Sequence, residues 1–336
     1  MTLFILALGV IAVFLPFVPT WIEIVRKTDA TPLKISTQIL KDPRETPIAV
    51  FWHLVQLLGL DSLDDLKKKA TVKQPLMLKE SLMAVPAGIL FEGIPKNVAR
   101  VIAAESIELP SRVAYSCKIL SLGSILTGDH SLFNELHADE QLTVSTGSKV
   151  VWWATANTIT LNPEVKTPGK VQAKTSIRIN GPVYFHALEA PLIQNTSHPV
   201  IIQEKRTLNP TRERILSAND FEVPADEIIE ADLVIKGKLL IGPGARIFGS
   251  IKAHQGITLG SGAHVYGDVI GLKDIVFSGS NFIQGTLLGN QKIHFGPKCI
   301  FGLPESPSTC SAKELSIEGQ FQAHGMVRAW KIGHFS

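Results

Sequence analysis

The chain has 336 residues, enough for two domains, and its net charge of +3 at pH 7 is too small to indicate a nucleic-acid-binding protein. Aromatic residues make up only 7% of the sequence, which fits an interior filled mainly by Ile, Val and Leu. The three cysteines, Cys117, Cys299 and Cys310, are odd in number, and two of them fall at strand-like positions. Buried free thiols are therefore predicted in preference to disulfides.

Residues 2–22 carry no charge and are long enough to cross a bilayer as a helix of about 20 residues. A cleaved signal peptide fits less well, because no basic segment precedes the apolar run and no small-x-small site follows it. We therefore predict a transmembrane helix within residues 1–24. The side chains that anchor it in the membrane include Phe4, Leu6, Ile11, Phe14 and Trp21, and the last of these lies where an interfacial anchor belongs.

Lysine and arginine residues set the predicted orientation of this helix. None precedes the apolar run, whereas Arg26, Lys27, Lys34, Lys41 and Arg44 follow it. The positive-inside rule therefore places the N-terminus outside and the rest of the chain in the cytoplasm. The predicted location is the inner (cytoplasmic) membrane, crossed once.

Residues 25–84 are predicted to form a helical juxtamembrane or cap region. Residues 46–59 predict a short amphipathic helix ended by Gly59, and Ser62 is a suitable N-cap for a second helix with early acids and late bases. The two helices either cap the open end of a solenoid, or they present Lys67, Lys68 and Lys69 to anionic lipid headgroups. The cap is favoured, because a run of three charges is usually a solvated face.

The last third of the sequence contains an 18-residue repeat, which is the signature of a solenoid. Apolar residues that alternate with polar ones predict short strands with one buried face. We predict an all-β fold, a parallel triangular β-helix in which each repeat forms one coil of three strands and the coils stack on a continuous core. Core positions include Ile241, Ile257, Ile275 and Ile293, and each repeat is followed by a glycine at the same place, Gly249, Gly267, Gly285 or Gly302.

The same pattern recurs earlier in the chain, where Ile159 and Ile177 are separated by the length of one repeat. It predicts a first β-helix block over residues 85–193 and a second over residues 229–336. The intervening residues 194–228 are polar and charged, which indicates an insertion or a linker. The sequence leaves open whether the two blocks form one solenoid or two.

The sequence contains no Gly-x-x-x-x-Gly-Lys-Ser/Thr, His-Glu-x-x-His, Cys-x-x-Cys or Gly-x-Ser-x-Gly catalytic motif. His254, His264 and His294 fall at different places in their coils, so they do not predict a metal-binding column. We therefore expect no enzyme activity, no cofactor, no metal site and no small-molecule substrate. One of the adjacent residues Trp152 and Trp153 must face outward from a strand, as a contact for a partner or under the 194–228 segment.

One motif, Ile/Val-x-Gly-x-Ile/Val, recurs once per coil in the second block. It and its flanking residues occupy positions 232–239, 247–253, 265–269, 283–287 and 323–329. These segments resemble the bactofilin family of bacterial polymer-forming cytoskeletal proteins. The resemblance covers residues 229–335 well and 100–193 loosely, and it implies a right-handed β-helix that polymerises end to end without nucleotide, often on a membrane. The chain differs from typical members in its second coil block and its predicted spanning helix.

The resulting prediction is a membrane-anchored structural scaffold that self-associates and organises an envelope or surface-assembly complex. Its expected partners are a second copy, the membrane and other envelope-assembly proteins, with no nucleic acid. The C-terminal coil end, with Ile332 and Phe335 on a short tail, is expected to be exposed and to pair two copies.

Two alternatives stay open at the sequence level. The first is an enzyme of the left-handed hexapeptide-repeat acyltransferase type, which also has 18-residue coils. That type prefers small residues four positions after each apolar anchor, whereas this chain has branched residues there, such as Ile251 and Val269. The second is a membrane-tethered adaptor that does not polymerise.

Overall fold

The computed structural model describes residues 46–89, 94–95, 97–195, 205–209 and 212–336. The predicted transmembrane helix and the basic residues that follow it lie outside this part of the chain. The anchor residues Phe4, Leu6, Ile11, Phe14 and Trp21 lie there too. Within the described residues, no helix has both the length and the apolar character needed to cross a membrane.

Two short helices precede the strands. Helix α1 spans Thr46–Leu58 and helix α2 spans Leu63–Ala70. Gly59 follows α1 with a φ of +63°, a conformation that glycine adopts without steric cost. Ser62 caps α2, because its hydroxyl oxygen accepts a hydrogen bond from the Asp65 amide at 3.2 Å.

Both helices pack against an outer side of the solenoid, contrary to the expectation that they cover its first coil end. Phe51 and Leu66 are buried together with Ile102 and Leu120. Ile102 points outward, because it follows the inward residue Val101 along its strand. The helices therefore shield a lateral face. Lys67, Lys68 and Lys69 are exposed on α2.

The remainder of the described chain is all-β and forms a β-solenoid of about 13 coils, which confirms the predicted architecture. The first block contains β1 (Leu76–Lys79), β2 (Leu82–Val85), β3 (Gly88–Ile89), β4 (Arg100–Ala103), β5 (Ile107–Glu108), β6 (Ala114–Ser121), β7 (Ile125–Leu126), β8 (Leu132–Ala138), β9 (Gln141–Val144), β10 (Lys149–Leu161), β11 (Lys166–Ile179) and β12 (Val183–Gln194).

The second block contains seventeen described strands. They are β13 (Glu213–Ser217), β14 (Phe221–Val223), β15 (Ile228–Ile229), β16 (Ala231–Ile235), β17 (Leu239–Ile241), β18 (Arg246–Ile247), β19 (Ile251–Ala253), β20 (Ile257–Leu259), β21 (His264–Val265), β22 (Val269–Gly271), β23 (Ile275–Phe277), β24 (Phe282–Ile283), β25 (Leu287–Gly289), β26 (Lys292–Phe295), β27 (Cys299–Phe301), β28 (Ser308–Ile317) and β29 (Phe321–Phe335).

Three faces run along the stack. In the second block, face A contains β13, β16, β19, β22 and β25, face B contains β14, β17, β20, β23 and β26, and face C contains β15, β18, β21, β24 and β27. The long strands β10, β11, β12 and β29 bend at the corners and contribute to all three faces. Each coil therefore closes around one triangular core.

The core follows the 18-residue repeat. Ile275 lies between Ile257 and Ile293 in the parallel ladder, and all three side chains are fully buried. Ile241 is buried in the same face. Corner glycines permit the close stacking, because a Cβ on Gly267 would lie 2.4 Å from the carbonyl oxygen of the preceding coil's corner residue.

The two blocks form one solenoid, joined end to end. Pairing between successive coils within each block is parallel, whereas β12 and β29 pair antiparallel. Val183 lies opposite Phe335 on face B, and Ile193 lies opposite Ala323 on face C. All three faces continue across this junction. The chain therefore winds through the first block towards the junction, and it returns to the junction from the far end of the second block.

Both blocks have the same hand. Coils of the first block visit the faces in the order A, C, B, whereas those of the second block visit them in the order A, B, C. The direction of travel along the axis is also reversed. Because reversing both leaves the hand of a helix unchanged, the junction joins two coils of like hand. The right hand expected from the sequence stays a prediction.

The second block begins earlier than the sequence suggested. Strands β13, β14 and β15 lie within residues 194–228 or at their end, and they form a complete coil. Ile215 pairs with Leu233, its equivalent in the next repeat. Only the residues before Glu213 therefore remain as a connecting segment between the blocks.

The described parts of that connecting segment run along the outside of the second block. Three hydrogen-bonded contacts hold them: Asn195 Oδ1 accepts from the Phe321 amide at 2.7 Å, Gln284 exchanges two hydrogen bonds of 2.9 Å with the Arg206 backbone, and Arg212 Nε donates to Asp232 Oδ1 at 2.6 Å. We call the described residues of this segment (195, 205–209 and 212) the strap.

Cys117, Cys299 and Cys310 are free and buried, as predicted. Burial raises the pKa of all three thiols, that of Cys299 to about 12. These thiols therefore stay protonated and unreactive at neutral pH.

Candidate self-association site

The solenoid has an open end at the coil formed by β13, β14 and β15. Within the described residues each of these strands pairs on one side only, with β16, β17 and β18 respectively. Their outer edges leave a row of backbone N–H and C=O groups available to another chain.

The interior of this last coil is only partly covered: Val223 is fully buried, whereas other inward side chains are not. Ile215, Phe221 and Ile229 point into the core, yet they are only partly buried. Their equivalents one coil further in, Leu233 and Ile247 among them, are fully buried. These side chains are less buried because no further coil of the described residues covers them.

Exposed apolar side chains surround the same end. Leu216 is 70% exposed and Ile228 is 56% exposed. A cleft of about 670 Å³ lies between this coil and the strap, and its lining includes Leu208, Ile215 and Phe248. The open end therefore combines unpaired strand edges with an apolar surface, as interfaces between protein copies do.

The rim of the open end is acidic. Its exposed carboxylates are Glu213, Asp220, Glu222, Asp226, Glu227 and Glu230. Charged edge residues are a known means by which proteins limit uncontrolled edge-to-edge pairing. Two open ends would therefore repel each other least at physiological or higher ionic strength.

The opposite end of the solenoid is closed inside. Met83, Val85 and Val98 belong to the first coil, and they are only 8%, 2% and 5% exposed. The two ends thus differ in how well the core is covered.

A short antiparallel strand, β1, finishes face A at that closed end. Lys79 at the end of β1 donates a hydrogen bond from Nζ to the Leu57 carbonyl oxygen at 2.7 Å, which ties the strand to α1. Leu76 and Met77 on β1 are exposed. The closed end therefore also has exposed apolar side chains, as the open end does, but its core is covered.

The C-terminal coil end is not exposed, contrary to the expectation from Ile332 and Phe335. Phe335 is fully buried, with its ring centre 5.4 Å from that of Phe185 and 5.9 Å from that of Phe321. Ile332 is 43% exposed but lies at a corner of the junction. Because β12 covers the last strand, this end cannot accept a second copy.

Trp152 and Trp153 are both exposed, by 60% and 49%, so neither is buried beneath the 194–228 segment. Trp153 lies on face A between Glu135 and Lys170. Trp152 precedes it at the corner between faces B and A. Both side chains are thus free to meet a partner, although they lie far from the open end.

The histidines of the second block lie in different columns, as their spacing predicts. His264 lies opposite Arg246 and Phe282, whereas His294 lies on another face opposite Val276. Burial, together with the Arg246 charge, lowers the pKa of His264. In the described part of the chain, no group of three or more His, Cys, Asp or Glu side chains is arranged to hold a metal ion.

A buried polar chain on face A was not evident from the sequence. Lys118 Nζ lies 2.7 Å from Glu135 Oε2, which lies 3.3 Å from His137 Nε2, and His137 Nδ1 lies 2.7 Å from Thr155 Oγ1. This order of groups resembles a hydrolase triad. However, His137 and Thr155 are only 1% and 3% exposed, and α1 lies close to their strands. A substrate therefore has no access to these side chains, and we assign the hydrogen-bonded group a structural role.

This polar chain predicts a specific acid sensitivity. The hydrogen bond from His137, together with Lys118, lowers the pKa of Glu135 from 4.5 to about 2. Because the folded-state pKa is the lower one, the stabilisation is complete above the unfolded value and is lost as the pH falls towards 2. Glu135→Gln should therefore flatten the fall in melting temperature between about pH 5 and pH 2.

Thermal melts monitored by circular dichroism across that range would check this expectation. Glu227→Gln, a change at an exposed carboxylate on the open end, is the control and should follow the native protein. If Glu135→Gln also follows it in parallel, the ion pair does not contribute to acid stability.

No family model, no curated protein and no solved structure matches this chain.

Proposed function

We propose that this protein is a membrane-anchored, bactofilin-like scaffold whose copies associate through the open end formed by β13, β14 and β15. The main supporting observation is that Ile215, Phe221 and Ile229 are only half-buried, although they point inward at a coil that no other described strand covers. A second copy would bury these side chains and pair the free strand edges at the same time.

The internal junction is a precedent for this contact. There, β12 and β29 join two coil ends antiparallel and keep all three faces continuous. Two copies that meet at their open ends would form the same kind of contact between separate chains. Such an interface is self-complementary, as two-fold dimers require.

The sequence of β13 is compatible with a two-fold axis. Antiparallel pairing centred on Ile215 would place Arg214 opposite Leu216 of the second copy, and Glu213 opposite Ser217. No like charges would then lie directly opposite each other across the new strand pair.

With one open end in the described part of the chain, a closed pair is favoured over a filament. The interior of the opposite end is covered, as the burial of Met83 and Val85 shows. After two open ends have met, no further open coil remains to extend the assembly. The proposed scaffold is therefore a long two-fold rod, anchored in the inner membrane by residues 2–22, with its solenoids in the cytoplasm.

The proposed role of this rod is to organise an envelope or surface-assembly complex. A rigid rod on a membrane presents long, regular faces to other proteins, and Trp152 and Trp153 are exposed side chains that could bind them. A reporter fused to the C-terminus that is active only outside the cytoplasm would overturn the proposed topology.

The association is tested by charging the open end. Leu216→Glu with Ile228→Glu would place four extra negative charges at a two-fold interface whose rim is already acidic, and we expect monomers where the native protein forms dimers. Because both side chains are exposed in one copy, the fold should be retained. Sedimentation velocity of the full-length protein in detergent, at about 0.15 M salt or above, measures the change.

The matched control charges the other end. Leu76→Glu with Met77→Glu alters two exposed apolar side chains on β1, and it should leave the dimer intact. Dissociation of this control, or an unchanged sedimentation profile for the first variant, would refute association through the open end. A native protein that is monomeric throughout would instead support the non-polymerising adaptor.

A further inference from the structure

A groove of about 570 Å³ lies at the junction of the two blocks. It is lined by Lys149, Lys166, Tyr184, His186, Trp330 and Lys331, together with apolar neighbours. We call it the junction groove. It lies on face B and at the corner towards face A, far from the open end.

Two of its lysines form an unusual pair. Lys149 and Lys166 lie directly opposite each other on β10 and β11, a placement that costs stability for like charges. Among the described residues, neither forms an ion pair with a carboxylate. Other lysines nearby are paired: Lys118 with Glu135 at 2.7 Å, Lys170 with Glu189 at 2.6 Å and Lys331 with Glu314 at 3.0 Å. The pair at 149 and 166 thus offers an uncompensated site for an anion.

Trp330 gives the groove a fixed aromatic surface. Its side chain is 65% exposed, yet the indole Nε1 donates to Ser311 Oγ at 2.8 Å and the Arg328 guanidinium lies 4.8 Å from its ring centre. An exposed ring that is already held in place loses little freedom when a ligand binds. The Trp330 ring is therefore held in an orientation in which it can contact a ligand.

Tyr184 continues this surface next to the lysines. Its ring stacks on His334 with centres 4.6 Å apart, and Lys166 Nζ lies 5.9 Å from the ring centre. Because Tyr184 lies between Lys166 and His334 on neighbouring strands, an anion held by the lysine pair would be next to the edge of the tyrosine ring. The groove matches a ligand that carries both a negative charge and a ring.

The surface is extended along the solenoid axis. Trp152 occupies the same corner as Pro168, His186 and Trp330, since each lies where its strand bends from face B to face A. Trp152 and Trp330 are three strand positions apart, which is about 14 Å at normal strand spacing. The two exposed tryptophans thus lie at the two ends of a row of corner residues, along which an extended ligand could bind.

We propose that the junction groove binds an acidic oligosaccharide, with its carboxylates at Lys149 and Lys166 and a sugar ring face against Trp330. An acidic peptide fits less well. The strands under the groove, β10, β11, β12 and β29, are each paired on both sides there, so no edge is free to add a peptide strand. Sugar rings need no such edge, because they stack on aromatic faces.

Three probes separate charge from ring contacts. Titration calorimetry of the full-length protein should show binding of a galacturonic acid hexamer. Cellohexaose, which has rings but no charge, and a glutamate hexapeptide, which has charges but no sugar rings, should both bind at least ~10-fold more weakly. Equal binding of the glutamate peptide, or no binding of the galacturonic acid hexamer, would overturn the proposal.

Variants locate the site. Lys149→Gln with Lys166→Gln, and separately Trp330→Leu, should each weaken binding of the hexamer by at least ~10-fold. The control, Lys252→Gln with Lys273→Gln, removes two exposed lysines of the second block and should bind like the native protein.

Melting temperatures measured in parallel separate loss of binding from loss of folding. Lys149, Lys166 and Trp330 are all exposed, so the melting temperatures of these variants should stay close to that of the native protein. Undiminished binding by the Lys149/Lys166 variant, or an equal loss in the control, would place the ligand elsewhere and refute the groove.

Discussion

Ile275→Asp should unfold the second coil block. Ile275 is fully buried between Ile257 and Ile293 on face B, and the triangular interior offers an introduced carboxylate no polar partner. Burial of an unpaired charge is among the most costly single changes, and we expect a loss above about 4 kcal/mol. Thermal and urea unfolding followed by circular dichroism would measure it.

Lys273→Asp is the matched control, two residues away on the same coil. Lys273 is exposed, and a surface change of this kind should shift the free energy of unfolding by no more than about 0.5 kcal/mol. If the two variants melt alike, the register that places Ile275 inside and Lys273 outside is wrong.

Phe335→Ala should destabilise the junction by about 3–5 kcal/mol, the usual cost of removing a buried phenylalanine ring. The ring is fully buried and packs against Phe185 of the first block and Phe321 of its own strand. Its loss would leave a cavity where the two blocks meet. Urea denaturation of the full-length protein would measure the change in free energy of unfolding.

Ile332→Ala provides the comparison at the same junction. Its side chain is 43% exposed, so the expected loss is below about 1 kcal/mol. Equal and small effects of the two changes would mean that the C-terminal strand is not docked on β12. The C-terminal coil end would then be open, as its apolar tail suggests from the sequence alone.

The coil register could be read from the sequence because parallel coils stack in register. Each inward side chain meets its equivalent in the next repeat, so the spacing of Ile257, Ile275 and Ile293 is both a sequence repeat and a physical contact. The corner glycines follow the same logic, since a side chain there would collide with the coil beneath.

The junction could not be predicted in this way. The antiparallel pairing of β12 with β29 joins residues 183–194 to residues 321–335, and a reversed contact leaves no constant spacing in the sequence. Ile332 and Phe335 therefore read as an exposed apolar tail, whereas the first block in fact buries Phe335.

The open end was missed for a different reason, and a signal for it was present. Ile215 and Phe221 lie one full repeat before Leu233 and Leu239, with which they pair, so the repeat extends one coil further towards the N-terminus. The charged outward positions and the polar strap beside them made this stretch resemble a linker. The same charges mark the coil as the last one in its block, since they face solvent at a strand edge.

The tryptophan pair shows the limit of strand alternation. Alternation predicts that one of Trp152 and Trp153 faces outward, but both are exposed. Trp152 lies at a corner where β10 bends between two faces, and side chains at a bend do not alternate. Positions of corners within a long strand depend on the coils above and below, which a single sequence does not specify.

Electron microscopy of the full-length protein in detergent tests the closed two-fold rod most directly. A solenoid of about 13 coils at normal strand spacing is about 60 Å long. Two copies joined at their open ends should give rods of about 120 Å, and the Leu216→Glu/Ile228→Glu variant should give particles of about 60 Å. Filaments that grow well beyond about 120 Å, or native particles that all measure about 60 Å, would contradict closed pairing through the open end.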